Sequence, residues 1–414
     1  MIVNYIYSAC IVIETNDLRI CCDPWFTQGI YDGAWFQYPQ VEDPIVKIGQ
    51  IDFVYVSHIH PDHYDPKFLR ELLAANPNCQ LMIGDENQAF LRTKMLRDGF
   101  TPKSTRYLEV GATQLAIIPN CADPEINIDT ALVVKDDSHI VVNLNDCPFD
   151  ERQVGAIMEF CEKSPDLACL PYAGAGPYPQ MYRFISEADR DREAVAKKEQ
   201  FLRLFGRYLD ALCPRYAMPF AGLYYLAGEH RKLNRVRGIP DAVEVRSRFG
   251  DQVVVLKEGV GQIDLSTGSI LHPRTRPYDD AERDLDLVKF DHYPVPYYSE
   301  LEPEENDLID LLADAHRRAV SRISDFSNRW ICLKTPKSRY LCIHHESPGV
   351  VKVRESVSDL PHREEIYLDG RHLRGLLERR YHWNNAEIGS HFGFYREPNN
   401  YDRRIYNLLN FLHV

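Results

Sequence analysis

The 414 residues carry a formal net charge of −13, and so large an acidic excess argues against a nucleic-acid partner, which needs a basic face. No apolar run is long enough to cross a membrane, and the N-terminus lacks a basic stretch leading into an apolar one, so neither a membrane span nor a secretory leader is expected. Length allows one large domain or two to three ordinary ones. The eleven cysteines are scattered with no Cys-x-x-Cys pair, which fits buried reduced thiols in a cytoplasmic enzyme. Oligomeric state is not legible.

In chain order, short strands and turns fill residues 1–57, with Asn16-Asp17 as a hairpin turn. Ile51-Asp52-Phe53-Val54-Tyr55-Val56 reads as a buried strand. Directly after it comes Ser57-His58-Ile59-His60-Pro61-Asp62-His63, on the loop leaving the strand's C-terminal end, where α/β folds place their chemistry. In an extended loop, residues two apart point the same way, so His58 and His60 can grip one metal ion while Asp62 and His63 turn towards a second position. Imidazoles with a carboxylate suit zinc, iron or manganese, and two ions about 3.5–4 Å apart form a recurring catalytic device.

Apolar spacing predicts helices at 66–75 and 86–98. Strands follow near 105–109, 113–119, 130–135 and 139–144, then a helix near 151–162 and the strand Leu167–Leu170. A long charged amphipathic helix runs from Ser186 to about 211, and Arg215–Phe220 looks like a last short core strand. Residues 271–303, punctuated by His272-Pro273, Arg276-Pro277, Pro294-Val295-Pro296 and Glu302-Pro303, read as a linker or wrapping arm between a catalytic domain (1–270) and an α+β module (304–414). That module is expected to hold a helix near 304–323, strands near 328–333, 338–343 and 349–353, and closing helices near 369–379 and 401–412.

The order His-x-His-x-Asp-His after a buried strand resembles the metallo-β-lactamase superfamily. The hairpin Tyr7–Glu14 and Ile20–Phe26 agrees, and so does Asn145-Asp146-Cys147 after the strand Ile140–Leu144. Asp23-Pro24-Trp25 resembles in particular the branch containing the CMP-N-acetylneuraminate hydroxylases. The resemblance covers roughly the first 230 residues and implies an α/β fold, an αββα sandwich with a dinuclear metal site between its sheets. It implies Asp146 as bridging carboxylate and a last ligand after the final core strand, the position of His230, with Asp62 and Asp146 as the catalytic carboxylates.

Most of the superfamily has a further metal-binding histidine between the first cluster and the bridging aspartate. Here that interval holds only His139, in or just after a hairpin turn and expected to face solvent. Alignment with the hydroxylase-like pattern puts Asp123 in the missing histidine's place, with Glu125 in reserve. A carboxylate there hardens the site towards iron or manganese. That resembles the diiron oxygenase branch and implies two iron ions (alternatives manganese or zinc), with O₂ as co-substrate. The alternative is a metal-dependent hydrolase of an ester, lactone, thioester or phosphoester. The hydroxylases carry a Rieske module, which needs Cys-x-His followed by Cys-x-x-His. Cys342-Ile343-His344 matches the first half, but no cysteine follows, so a separate electron donor is expected.

Near the site, Gly174–Tyr182 suits a pocket wall, with Tyr178 as a substrate contact. Arg231-Lys232-Leu233-Asn234-Arg235-Val236-Arg237 in an acidic chain suggests a small or carrier-bound anionic substrate, held by Arg231 and Arg235. His382–His391 is polar and aromatic, and suits a lid or ordinary packing equally.

Overall fold

The computed structural model describes residues 1–85, 89–120, 128–184 and 186–413. Among these, an eight-stranded sheet runs in the order Ser269–Leu271, Gly261–Asp264, Ile2–Tyr7, Cys10–Glu14, Arg19–Cys22, Phe53–Tyr55, Gln80–Ile83, Lys103–Ser104. A six-stranded sheet runs Tyr216–Phe220, Leu167–Pro171, Ile140–Asn143, Thr130–Lys135, Thr113–Pro119, Tyr107–Val110.

The two sheets pack face to face because alternate residues on each strand are apolar in both directions. Leu132 and Val134 point inward, where they join Ile11, Ile20, Tyr55 and Met82 of the facing sheet. Their neighbours Ala131 and Val133 point outward onto Phe205 and Leu209 of the helix Glu187–Leu212 and Ile157 of the helix Glu151–Cys161. On the other outer face Val54 and Val56 meet Phe68, Leu69 and Leu72 of the helix Pro66–Ala75. This is the αββα arrangement that the resemblance implied.

Local chemistry sets the helix starts. Pro66 stands in the first turn behind the cap Asp65, whose carboxylate accepts from Phe68 N at 3.0 Å. Asp150 with Gln153, and Ser186 with Asp189, close reciprocal capping boxes. The second predicted helix starts later than its apolar spacing suggested, at Phe90.

Residues 271–303 are more ordered than their proline content suggests. A helix at Asp280–Leu287 starts on the Asp279 carboxylate, which accepts from Ala281 N and Glu282 N. Its fully buried Leu287 packs with Phe36 and Trp35, and Phe290 stacks on Phe36 at 4.4 Å. This part of the segment packs on the short strand Trp35–Phe36.

The C-terminal residues build a five-stranded sheet, Lys352–Arg354, Tyr340–Ile343, Trp330–Lys334, Arg363–Tyr367, Gly393–Glu397, with its own apolar core. The strand Arg363–Tyr367 escapes sequence reading because it is charged: Arg363, Glu364 and Glu365 are all buried. They survive burial in pairs, with Arg363 Nε donating to Glu365 at 2.7 Å and Arg329 3.4 Å from Glu364, whose carboxyl burial pushes up to about 7. This module docks on the sandwich side. Phe394 N donates to Met181 O (2.9 Å), Arg183 N donates to Phe394 O (2.8 Å), and Trp35 Nε1 donates to Ile388 O (3.1 Å).

Leu132, fully buried between the sheets, tests the sandwich. Leu132→Ala should lower the unfolding free energy by about 2–5 kcal/mol in urea titrations. A loss below about 0.5 kcal/mol, the range of surface changes, would contradict its place in the core.

Candidate metal centre

The site forms where strand ends of both sheets meet. After Val56 the chain leaves the first sheet and coils back on itself, with His63 N and Tyr64 N donating to His60 O at 2.9 and 2.8 Å. That coil places His58 Nε2 2.8 Å from His60 Nδ1, and His63 Nε2 3.5 Å from an Asp62 carboxylate oxygen. From the second sheet, Asp146 follows Asn145, which sits in the left-handed region at φ 56°. The Asn143 side chain accepts from Asn145 N (2.9 Å), and Asn145 Nδ2 donates to Thr130 O (3.1 Å). The turn so fixed aims Asp146 Oδ1 to 3.4 Å from His63 Nε2 and 3.8 Å from His58 Nε2.

Thr130 ties the two sheets together at this end. Its hydroxyl donates to Ser57 O at 2.9 Å and contacts the buried Tyr55 hydroxyl at 2.7 Å. Asp23 sits beneath, wholly buried and with φ 41°. Its carboxylate accepts from Ser57 N (2.7 Å), Ser57 Oγ (2.7 Å) and His63 Nδ1 (3.1 Å). Burial pushes the Asp23 carboxyl up, and His63 opposes it. A carboxylate on Nδ1 fixes a His63 proton there and turns Nε2 towards Asp62 and Asp146. His58 is held similarly, its Nδ1 3.0 Å from Ser57 Oγ.

Tyr31 donates its phenol to Asp62 Oδ1. Burial, then the Asp62 charge, raises that phenol well above its usual range, so it stays protonated. Tyr31 and Asp32 are consecutive non-glycine residues at φ 53° and 56°, a strained backbone of the kind that clusters at functional sites. Burial lowers His58 strongly, and His63 reinforces that. Burial would also lower His63 and raise Asp146, but each overcomes it for the other: His63 is raised and Asp146 lies below the usual carboxylate range.

These residues fit a metal ion. His63 Nε2 is fully buried, and no partner is close enough or aligned well enough for a regular hydrogen bond. It faces two carboxylates and lies with His58 and Asp146 ligand atoms all within 4.8 Å of one another. His58, Asp129 and Cys147 form a second such group. Nitrogen and oxygen donors in this mixture suit iron, manganese or zinc.

Asp129 is a carboxylate that sequence reading used only as a landmark. It precedes the strand Thr130–Lys135, whose start lies beside the end of Ile140–Asn143 because the two strands run antiparallel. That antiparallel pairing was the available signal. Asp23 and Tyr31 were equally unassigned, as their partners lie 40 and 31 residues away. Asp123 and its reserve Glu125 lie outside the described residues.

The other expected residues make different contacts. The ring of His230 lies 3.8 Å from Glu229 and packs at 5.9 Å against His391, not against the His58 group. Arg231 pairs with Asp291 (3.1 Å) and Arg235 is exposed. Arg237 is buried, donating to Tyr224 O at 2.9 Å. The Tyr178 hydroxyl donates to Glu193, with Arg396 over its ring. His139 is partly buried beside Asp136 at 3.5 Å rather than facing solvent freely, because the hairpin turn folds that carboxylate onto it.

Sequence comparison agrees with this architecture. Residues 2–140 match the family described as the Beta-lactamase superfamily domain, so the chain carries a domain of that superfamily. A Mycolicibacterium smegmatis protein with the provisional name Rieske 2Fe-2S iron-sulfur protein is 29% identical over 311 residues, covering 68% of this chain and 57% of that one. The cytidine monophosphate-N-acetylneuraminic acid hydroxylase of Danio rerio is 23% identical over 234 residues, covering 53% of this chain and 38% of its own length. The chain thus spans about half the length of the curated relatives it matches. Among solved structures, CmlA, a diiron beta-hydroxylase from Streptomyces venezuelae, superposes with TM-score 0.38 at 15% identity over 60% of this chain and 51% of that one.

Asp129 offers a pH test. Burial, and then the Asp146 charge, push its carboxyl up to about 6, against about 4 in an unfolded chain. The folded state keeps a proton between those values that the unfolded state releases. The metal-free protein therefore loses stability as pH rises through about 4 to 6, with the full penalty above 6. Asp129→Asn should raise the Tm of the metal-free protein at pH 7.5 and change it little at pH 4, while weakening metal binding. An unchanged Tm at pH 7.5 would contradict this environment.

Proposed function

We propose that the chain is a dinuclear metalloenzyme, a non-haem diiron oxygenase acting on a small or carrier-bound anionic metabolite. The observation that carries this is the carboxylate content of the cluster. Asp146 stands against two histidines, Asp62 against one of them, and Asp129 is within ligand reach of the other. Anionic oxygen donors favour hard, higher-valent iron over zinc. The relatives named as hydroxylases support the reading.

In this assignment His58, His60 and His63 would hold the metals through ring nitrogens and Asp146, Asp62 and Asp129 through carboxylate oxygens, with Asp123 and His230 as further candidates. Two irons held there would supply the O₂ chemistry of a monooxygenation, for which a separate donor would have to provide two electrons and two protons, one oxygen atom going into a substrate C–H or N–H bond and the other to water. The protein's own part is to hold proton positions. Asp23 and Ser57 keep protons on His63 and away from the donor nitrogens, and Tyr31 keeps one Asp62 oxygen occupied so that the other faces the cluster. For the substrate, Arg235 is exposed in the 231–237 run, as is Lys232, and Arg231 and Tyr178 are weaker candidates because each is already engaged. A cytoplasmic setting agrees with the described cysteines all being free thiols, and no described helix is long and apolar enough to cross a membrane.

Expression in iron-replete medium should give about two metal ions per chain, dominated by iron, and reduced protein should consume O₂. Stoichiometric zinc without iron, and no O₂ uptake, would overturn the oxygenase and favour a hydrolase that uses metal-bound hydroxide.

A further inference from the structure

We infer that Asn384, in the C-terminal module, is a positioning residue for His60, selecting the imidazole tautomer that ligates metal. This rests on the metal reading of the His58–His63–Asp146 cluster. His60 Nε2 lies 2.8 Å from Asn384 Oδ1, across 324 residues of sequence. An amide oxygen can only accept, so the His60 proton sits on Nε2 and Nδ1 is left bare. That bare nitrogen is the one 2.8 Å from His58 Nε2, inside the cluster. With the opposite tautomer a proton would point at His58, where the metal must bind.

The amide itself is held in place. Asn384 Nδ2 donates to the Tyr406 hydroxyl, on the helix Arg403–Phe411. Asn384 N donates to His382 Nδ1 at 3.3 Å, at the start of the helix Trp383–Ile388. Trp383, next to Asn384, is fully buried in the module's core. The helix is pinned to the sandwich by the Trp35 Nε1 bond to Ile388 O, and just beyond its end His391 Nε2 donates to Tyr31 O at 2.9 Å. Tyr31 is the residue that holds Asp62. The module therefore reaches the cluster through two routes: Asn384 to His60, and His391 through Tyr31 to Asp62.

The measurement is the apparent affinity for Co²⁺, by chelator competition, with the visible spectrum of the cobalt-loaded protein. Asn384→Ala should weaken Co²⁺ binding roughly 10–100-fold, the usual cost of losing such a support, and alter the cobalt spectrum. Asn384→Asp, whose carboxylate accepts the same proton, should bind close to wild type. Thermal melts of the metal-free variants separate this from misfolding. Wild-type affinity and spectrum in Asn384→Ala, or an Asp variant as weak as the Ala variant, would overturn the inference while leaving the metal reading intact. A wild-type protein that binds no Co²⁺ would instead remove the metal reading and this inference with it.

Discussion

Everything at this site depends on the burial of Asp23 beneath the His58–His63 loop. A carboxylate with no solvent access must be fully bonded, and Asp23 is, to the backbone and hydroxyl of Ser57 and to His63 Nδ1. Those bonds fix where the loop leaves its strand and which nitrogen of His63 faces inward. The remaining nitrogen is then left buried between carboxylates from two sheets, where either its own proton or a bound cation can offset their charge.

Two sheets supply the clustered side chains, so their relative position matters as much as the loop. Thr130 does this locally, bonding Ser57 O and Tyr55 of the opposite sheet while its own carbonyl holds Asn145. Further out, residues from 271–303 and from the C-terminal sheet region pack around Trp35 and His391. Trp35 stacks on Tyr224 at 3.4 Å and bonds the module through Ile388 O. The arm's Tyr297 stacks on His372 at 4.1 Å and its hydroxyl contacts His391. The strained Tyr31–Asp32 turn lies between these layers, where packing on both sides can hold it.

The sequence made the local parts of this architecture legible. His58-x-His60-x-Asp62-His63 is contained in one loop, and the αββα plan follows from strands apolar on both faces between amphipathic helices. Parts that depend on distant partners were not legible. Asp23 was read as one residue of a family-like Asp-Pro-Trp, and its bonds to a loop more than thirty residues on leave no local pattern. Asp129 is brought in by strand pairing, and Asn384 lay in a segment that suited a lid or packing equally. The strand Arg363–Tyr367 was missed because buried ion pairs look, in sequence, like a solvated surface.

The central claim is that this one cluster holds two metal ions, and anomalous diffraction tests it most directly. Crystals of iron-loaded protein, measured at the iron edge, should show two peaks about 3.5–4 Å apart. One should lie within ligand distance of His58 Nε2 and His60 Nδ1, the other near His63 Nε2 and Asp62, with the Asp146 carboxylate between them. Iron peaks away from these residues, or none at the cluster in protein shown to contain iron, would contradict the account.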